Sequence, residues 1–392
     1  MTKILAFFLP QFHDDPLNSK WWGKGFTEWV NVKAAKPLHA GHRQPRVPLN
    51  GYYDLETPEA LNAQFDEASD HNIDGFVFYH YWSKGTRLLR KPLDLLLANP
   101  EVGKNQTFSL CWANHAWTRS WKNRSGALDV LLEQEYESSK EERAEHIDFL
   151  VRCFSDPRYL KTNGKPLLCI YSPEIIPQLD AFIEELREKC IQVIGADCEI
   201  SGVIKNWQSD WSFLSLLDSV TLAQPALSQY ASPDIFDKTI SARKLIFSPS
   251  EIARGLPAWA KKLLYPIQDR FFNRVTFIDY DSAWQKGLEQ IRRAVESDRK
   301  VHVSTFVDFD NTARYGPRAK IFTGFTLEKF SDYFEKAYRL AQKNTDSGLL
   351  MVNAWNEWAE GMYLQPDEEF GNARLEIIRE IVAKNRNEKS AE

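Results

Sequence analysis

The chain is short of the features that would mark several common classes of protein. Its 392 residues include 18 glycines, 19 prolines and 3 methionines. That little glycine and proline excludes collagen-like and low-complexity behaviour. An excess of positive charge is also missing. The 49 lysines and arginines face 54 aspartates and glutamates, a formal net charge of −5, so nothing draws the chain as a whole to nucleic acid or to an anionic membrane. No apolar run approaches the ~18 to 20 residues needed to cross a bilayer. The first such run, Ile4 to Leu9 after Lys3, is ended by Pro10, and Gln11-Phe12-His13-Asp14-Asp15 offers no small-residue cleavage site. It reads as a buried first strand rather than a signal peptide. The expectation is a soluble, cytoplasmic protein without membrane insertion.

Cysteine is scarce as well. Cys111, Cys153, Cys169, Cys190 and Cys198 are odd in number and lack short metal-ligand spacing. Cys111 and Cys169 sit in apolar runs and read as core thiols. Cys190 and Cys198 either pair or stay free, and a reduced cytosol favours free thiols. What the chain does have is aromatic rings: 13 Trp, 14 Tyr and 24 Phe. Part of that surplus fills a core, and tryptophan beside polar residues suits stacking on sugar rings.

Short apolar runs alternate with amphipathic segments. Strand candidates are Ile4–Leu9, Ile73–Tyr79, Phe108–Trp112, Pro166–Tyr171, Ile191–Ala196, Asp218–Leu222, Val301–Phe306 and Gly348–Trp355. Helical spacing marks the stretch opened by Thr57-Pro58-Glu59 and those at 91–98, 141–154, 176–189, 281–296 and 327–341. Eight strands alternating with helices predict an α/β fold, a (β/α)8 TIM barrel, as one catalytic domain over residues 1–392. An open doubly wound sheet is the alternative, but Pro10-Gln11-Phe12-His13 follows strand one where a glycine-rich phosphate turn would be needed. Long irregular insertions are expected at about 11–50 and 224–280, the second proline-rich and suited to a lid or arm.

Barrel active sites are built at the carboxyl ends of strands. There the sequence places Tyr79-His80-Tyr81-Trp82, Trp112-Ala113-Asn114-His115-Ala116-Trp117, Tyr171, Asp308-Phe309-Asp310-Asn311 and Trp355-Asn356-Glu357-Trp358-Ala359-Glu360-Gly361. Rings interleaved with hydrogen-bonding side chains suit a carbohydrate, with its weakly apolar face and rim of hydroxyls. Glu357 and Glu360 are the sharpest feature, because two carboxyl groups cleave a glycosidic bond. On a straight strand, residues three apart point to opposite faces. Both can face one pocket only if the strand ends near Trp355 and the chain turns at Gly361.

Asn356-Glu357-Trp358-Ala359-Glu360-Gly361, followed by Tyr363-Leu364-Gln365-Pro366-Asp367, resembles the WbsX group of bacterial polysaccharide-biosynthesis proteins. That group is similar to glycoside hydrolase family 99, the endo-α-mannosidases and endo-mannanases. Further matches in order are Phe8-Leu9-Pro10-Gln11-Phe12-His13, Gly25-Phe26-Thr27-Glu28-Trp29, Gly75 to Trp82, Trp112-Ala113-Asn114 and Asp310-Asn311-Thr312-Ala313-Arg314. The resemblance implies a barrel and a retaining mechanism through a 1,2-anhydro sugar. Glu357 would be the base on the sugar's 2-hydroxyl and Glu360 the general acid/base, with a raised pKa expected at Glu360. O2 and the leaving group must then be trans, as in α-mannosides, α-rhamnosides or β-glucosides.

The remaining candidates carry two readings each. Trp82, Trp117, Trp355 and Trp358 are either sugar platforms or core rings. His80 and His115 either bind hydroxyls or are satisfied structural donors. Glu28 and Trp29 form a rim subsite or anchor the first loop. Asp310, Asn311 and Arg314 bind sugar, or Asp310 and Arg314 make a loop-stabilising pair. Gln11, Tyr81, Asn114, Tyr171, Asn356 and Tyr363 complete the candidate substrate contacts. No metal and no cofactor is expected, and oligomeric state is left open. The leading expectation is an enzyme that cleaves or transfers a 1,2-trans glycosidic bond in a bacterial surface polysaccharide. The competing readings are a nucleotide-sugar glycosyltransferase of lipopolysaccharide or capsule biosynthesis, for which Asp308-Phe309-Asp310 has metal-diphosphate spacing, and a non-catalytic carbohydrate-binding barrel.

Overall fold

The computed structural model describes residues 2–118, 130–136, 139–205, 212–226, 275–344 and 347–391. An unbroken apolar run after Lys3 makes Lys3–Phe8 the first strand (β1), buried on both faces and paired in parallel on both sides. Continuing round are β2 (Gly75–Ser83), β3 (Thr107–Trp112), β4 (Lys165–Ile170), β5 (Glu199–Ile204), β6 (Ser219–Leu222), β7 (Lys300–Phe306) and β8 (Leu349–Asn353). Each pairs in parallel with the next, and β8 returns to β1 with Lys3 opposite Leu349. This is the closed eight-stranded α/β barrel that the alternation of elements predicts.

The helices follow local signals. In chain order they are α1 (Pro16–Trp22), α2 (Glu28–Ala34), α3 (Pro58–Asp70), α4 (Lys91–Ala98), α5 (Lys140–Phe154), α6 (Leu179–Ile194), α7 (Tyr280–Val295), α8 (Thr312–Tyr315), α9 (Leu327–Lys343) and α10 (Ala373–Ala391). Thr57, Ser139, Asp279 and Thr326 cap α3, α5, α7 and α9 by accepting backbone N–H bonds, which satisfies donors a helix start leaves open. The strand period of two divides the core. Leu5, Phe7, Val77, Cys111, Cys169, Val203 and Met351 fill the barrel axis, while Phe8, Phe76, Phe78, Leu110, Ile170 and Val352 meet the helices. All five cysteines are buried free thiols.

Two expectations fail here. Ile191–Ala196 is not strand five. α6 runs on to Ile194 and stops at Gly195 in the left-handed region, φ 75°, leaving Ile191 and Val193 each 56% exposed. The strand is Glu199–Ile204, disguised by a charge at its start. Glu199 is buried and held by Lys300 at 2.6 Å and His302 at 2.9 Å, so a residue type that normally marks surface lies inside the barrel. The first insertion is also not irregular, since it folds α1 and α2. Of the second, residues 227–274 lie outside the described residues, and the lid reading falls on them. Its end, Thr276–Asp279, pairs with Lys320–Thr323.

Candidate active site

β8 ends at Asn353, and the chain turns at once. Trp358–Glu360 forms a 3-10 turn closed by Gly361 at φ 62°. A Cβ on Gly361 would stand 2.9 Å from the Asp310 nitrogen, so the site demands glycine on two counts. The Asp310 N–H donates to the Glu360 carbonyl at 2.7 Å, tying this turn to the chain leaving β7. The result carries Glu357 and Glu360 onto the wall of one cavity of about 650 Å³ at the carboxyl end of the barrel.

Arg314, on α8, joins the two. Its Nη2 donates to Glu357 at 3.0 Å and to Glu28 at 2.7 Å, and its Nη1 donates to Glu360. Three carboxyl groups thus share one guanidinium. Burial pushes Glu357 up, Arg314 opposes it, and the neighbouring Glu360 and Glu28 charges add to the rise, to about 8. Burial works against the Arg314 charge, yet the three carboxyl groups hold it well above the ordinary arginine value. A raised pKa was expected at Glu360; the carboxyl that burial pushes up is Glu357, the more enclosed of the two, with a side chain 9% exposed against 24%. Tyr79 and Tyr81 also line the cavity, and burial beside the Glu357 charge lifts both phenols well above their usual value.

The sequence pattern of the family described as glycosyltransferase WbsX matches residues 4–378. The chain belongs to the WbsX family. It is 29% identical over 384 residues to an uncharacterized protein, WxcX, found in two strains of Xanthomonas campestris pv. campestris. The match takes in 97% of this chain and 50% of WxcX, so the chain spans about half the length of the curated relatives it matches. Among solved structures, a GH99 endo-alpha-mannosidase from Bacteroides thetaiotaomicron covers 99% of this chain and 98% of its own, with a TM-score of 0.55 at 15% identity. A glycoside hydrolase-like protein gives 0.59 at 12% identity over 97% and 93% of the two chains. These are likenesses of fold.

Within this WbsX barrel the candidate residues part into two groups. Gln11, Tyr81, Trp117, Tyr171, Asn311, Arg314, Glu357 and Glu360 stand on the cavity wall, as does His115. The others lie behind it. His80 and Trp82 share the outward face of β2, where His80 Nε2 lies 3.1 Å from His146 Nε2 and Trp82 stacks on the His146 ring. Burial pushes His80 down to about 3, which keeps that imidazole neutral. Asn114 staples β3 to β4 through the Ser172 backbone at 2.8 and 2.9 Å. Asn356 does the same at Leu9, accepting at 2.7 Å and donating at 3.0 Å. Trp29, Trp355, Trp358 and Tyr363 are buried rings whose polar atoms donate to Tyr53, Gln64, Gln365 and Asp367 respectively. Glu28 is fully buried and reaches the site through Arg314.

Asp310 binds neither the cavity nor Arg314. It accepts from Gln44 at 2.7 Å and Thr312 at 3.0 Å, with His42 at 2.9 Å, while Arg46 lies 3.2 Å from Asp308 and 3.8 Å from Asp310. The pair spaced like a metal-diphosphate motif therefore anchors the loop after α2. Among the described residues no group of His, Cys, Asp and Glu could hold a metal ion, and no helix is long and apolar enough to cross a membrane.

Sequence reasoning missed Trp22, Tyr79, Lys205 and Asn353 on the cavity wall. Tyr79 was legible, because it shares the inward parity of Val77 and Tyr81. Lys205 was hidden by the misplaced fifth strand, whose end it follows.

Proposed function

We propose that this WbsX protein is a carbohydrate-active enzyme that cleaves or transfers a 1,2-trans glycosidic bond with retention, Glu357 and Glu360 serving as its two carboxyl groups. The observation that carries the reading is the shared guanidinium: one turn after β8 brings both acids to one cavity at the end of the barrel where such folds do chemistry. Glu357 acts as base toward the sugar's 2-hydroxyl. A carboxyl near pKa 8 is better matched to that task at neutral pH than an ordinary one. The 2-oxygen attacks its own anomeric carbon, forming a 1,2-anhydro sugar, as Glu360 protonates the departing oxygen. Glu360 then takes a proton from the incoming water or sugar hydroxyl, which opens the anhydro ring with net retention while Glu357 returns its proton to O2. Trp117, Tyr171 and Tyr81 supply ring faces for the saccharide.

The substrate in this reading is a bacterial surface polysaccharide or its precursor, handled in a reducing cytoplasm that suits five free cysteines. A nucleotide-sugar transferase is less well supported, since Arg46 engages the Asp308 and Asp310 carboxylates that would grip a metal-diphosphate. The deciding experiment incubates the protein with α-mannan, α-rhamnan and β-glucan oligosaccharides without nucleotide sugar and follows products by mass spectrometry. Cleavage that falls by about 10² to 10⁴ in Glu357→Gln and in Glu360→Gln is the expected result. Turnover that requires a nucleotide sugar, or that survives both substitutions, overturns the mechanism.

A further inference from the structure

β2 brings two phenols to the cavity wall, Tyr79 and Tyr81, both on the inward parity of the strand. The Tyr79 ring is gripped from inside the barrel, stacked on Phe7 at 5.5 Å and edge-on to Tyr171 at 6.4 Å. Among the described residues its hydroxyl has no hydrogen-bond partner. Register sets it beside Glu357. Phe8 stands opposite Phe78, so Leu9, one residue on, stands opposite Tyr79. Asn356 is bonded to the Leu9 N–H at 2.7 Å and to the Leu9 carbonyl at 3.0 Å. Tyr79 and Glu357 therefore flank Leu9, which also lines the cavity. Arg314 holds Glu357 through Oε2. Oε1 is left unbonded among the described residues, which makes it the oxygen able to take a proton.

Burial, and after it the Glu357 charge, holds the Tyr79 phenol well above its ordinary value, so this hydroxyl keeps its proton and can donate it in a hydrogen bond. Burial and Glu357 lift Tyr81 too, but Arg314 opposes that rise, which sets Tyr81 toward the Arg314 side of the base. Tyr79 and Glu357 do not bond each other, so the space between them is open to a substrate hydroxyl that accepts from one and donates to the other. We infer that Tyr79 is a further catalytic residue, whose hydroxyl donates to the sugar's 2-oxygen while the 2-hydroxyl donates to Glu357 Oε1. The proton on O2 passes to Oε1 and the O2 electron pair attacks the anomeric carbon. The bond from that carbon to the leaving oxygen breaks as Glu360 protonates the latter. Tyr79 keeps its own proton throughout and stabilises the negative charge that develops on O2, as a preorganised oxyanion donor does. This inference rests on the reading above of Glu357 as the base.

Tyr79→Phe keeps the ring on Phe7 and removes only the hydroxyl, so its melting temperature should stay near that of the parent. Parent and variant are titrated calorimetrically, as full chains, with α-manno-, α-rhamno- and β-gluco-disaccharides and with analogues whose 2-hydroxyl on the non-reducing sugar is replaced by hydrogen. In at least one pair the parent should bind the 2-hydroxyl member more tightly. Tyr79→Phe should shrink that preference by about threefold to tenfold, the worth of one hydrogen bond, and leave the affinity for the 2-deoxy member almost unchanged. A purely structural tyrosine would weaken both members alike. No preference in the parent for any pair, absence of binding included, overturns the inference. So does a preference that the folded variant keeps in full. Cleavage is read separately in the 2-hydroxyl mixtures by mass spectrometry, where Tyr79→Phe should slow it by about 10²; an undiminished rate also overturns the inference. Cleavage lost in Glu357→Gln and Glu360→Gln beside a preference intact in Tyr79→Phe would remove this role for Tyr79 and leave the glycosidase reading standing. A preference that shrinks in Tyr79→Phe without cleavage of any sugar by the parent would keep the contact to O2 and remove the glycosidase reading.

Discussion

Glu28 and Arg314, 286 positions apart in the chain, meet at 2.7 Å, and the guanidinium nitrogen that Glu28 holds is the one that reaches Glu357. Glu28 is fully buried, and its second oxygen, Oε2, has no hydrogen-bond partner. A carboxylate so placed costs stability unless it is paired, so its value lies in fixing Arg314 between the two catalytic candidates. Its charge also helps hold the Glu357 proton in place.

Glu28→Gln therefore moves two observables. Removing a negative neighbour makes Glu357 easier to ionise, so the limb of the kcat/KM profile that Glu357 governs should shift to lower pH. A loosened Arg314 should lower kcat by about tenfold or more with little change in KM, as expected for a residue that acts on the transition state through another group. A pH profile that does not move, with only KM raised, would make Glu28 a direct sugar contact instead.

The elevated carboxyl of Glu357 links activity to stability. As a base Glu357 works only when ionised and Glu360 as an acid only when protonated, so kcat/KM should pass through a maximum in pH, and the limb that Glu357 governs should lie near pH 8. Stability depends on the same proton. The folded chain keeps this proton up to about pH 8, whereas the unfolded chain releases it near the ordinary 4.5. The folded state binds more protons between those values, so this group's contribution is full below pH 4.5 and is lost as the pH rises through 8. Glu357→Gln, which cannot ionise, should melt above the parent at pH 8, with the gap closing toward pH 5. Scanning calorimetry of both proteins across that range checks the sign, and a variant that melts lower at pH 8 would contradict it.

The aromatic residues divide by place rather than by type. Trp117 is half-buried on the cavity wall, its ring 5.2 Å from Tyr81. Trp358 is 1% exposed and stacks 3.7 Å from Tyr363. Trp117→Ala should raise KM several-fold with an almost unchanged melting temperature, because it removes a ring face from the substrate. Trp358→Ala should cost about 3 to 5 kcal/mol of stability, visible as a lower denaturant midpoint before any kinetic effect. The converse pair of results would exchange their roles.

Barrel and acid pair were legible for the same reason: both rest on local pattern. Short continuous apolar runs placed seven strands, and Gly361 after Glu360 showed where a turn would aim both acids. The failures lie where tertiary contacts override pattern. Glu199 looked like surface and starts β5, because Lys300 and His302, about a hundred positions on, accompany it into the barrel. His80 and Trp82 looked like a strand-end platform, yet parity sends them to the helix face. Asn114 and Asn356 carry the right chemistry for sugar hydroxyls, but the backbone of neighbouring strands uses it first. Residue type announces what a side chain can bind; only the register shows which side of the strand it is on.

Asp310 separates the two enzymatic readings most directly. It is 1% exposed, and its oxygens are taken by His42, Gln44 and Thr312 with Arg46 beside them. Asp310→Ala would strand the buried Arg46 with Asp308 alone, and breaking a buried charge pair in this way costs about 3 to 5 kcal/mol. The expected outcome is a marked fall in melting temperature. The fraction that remains folded at low temperature should keep the KM of the parent, because the carboxylate supports the loop after α2 and does not face the saccharide. Asp310→Asn, which keeps the shape and part of the hydrogen bonding, should lose less. A glycosyltransferase that used Asp308 and Asp310 to hold a metal-diphosphate would behave otherwise: the stable Asp310→Asn protein would fail to bind nucleotide sugar in the presence of manganese while the parent bound it. Calorimetric titration of both proteins with a uridine diphosphate sugar and manganese settles which role the pair performs.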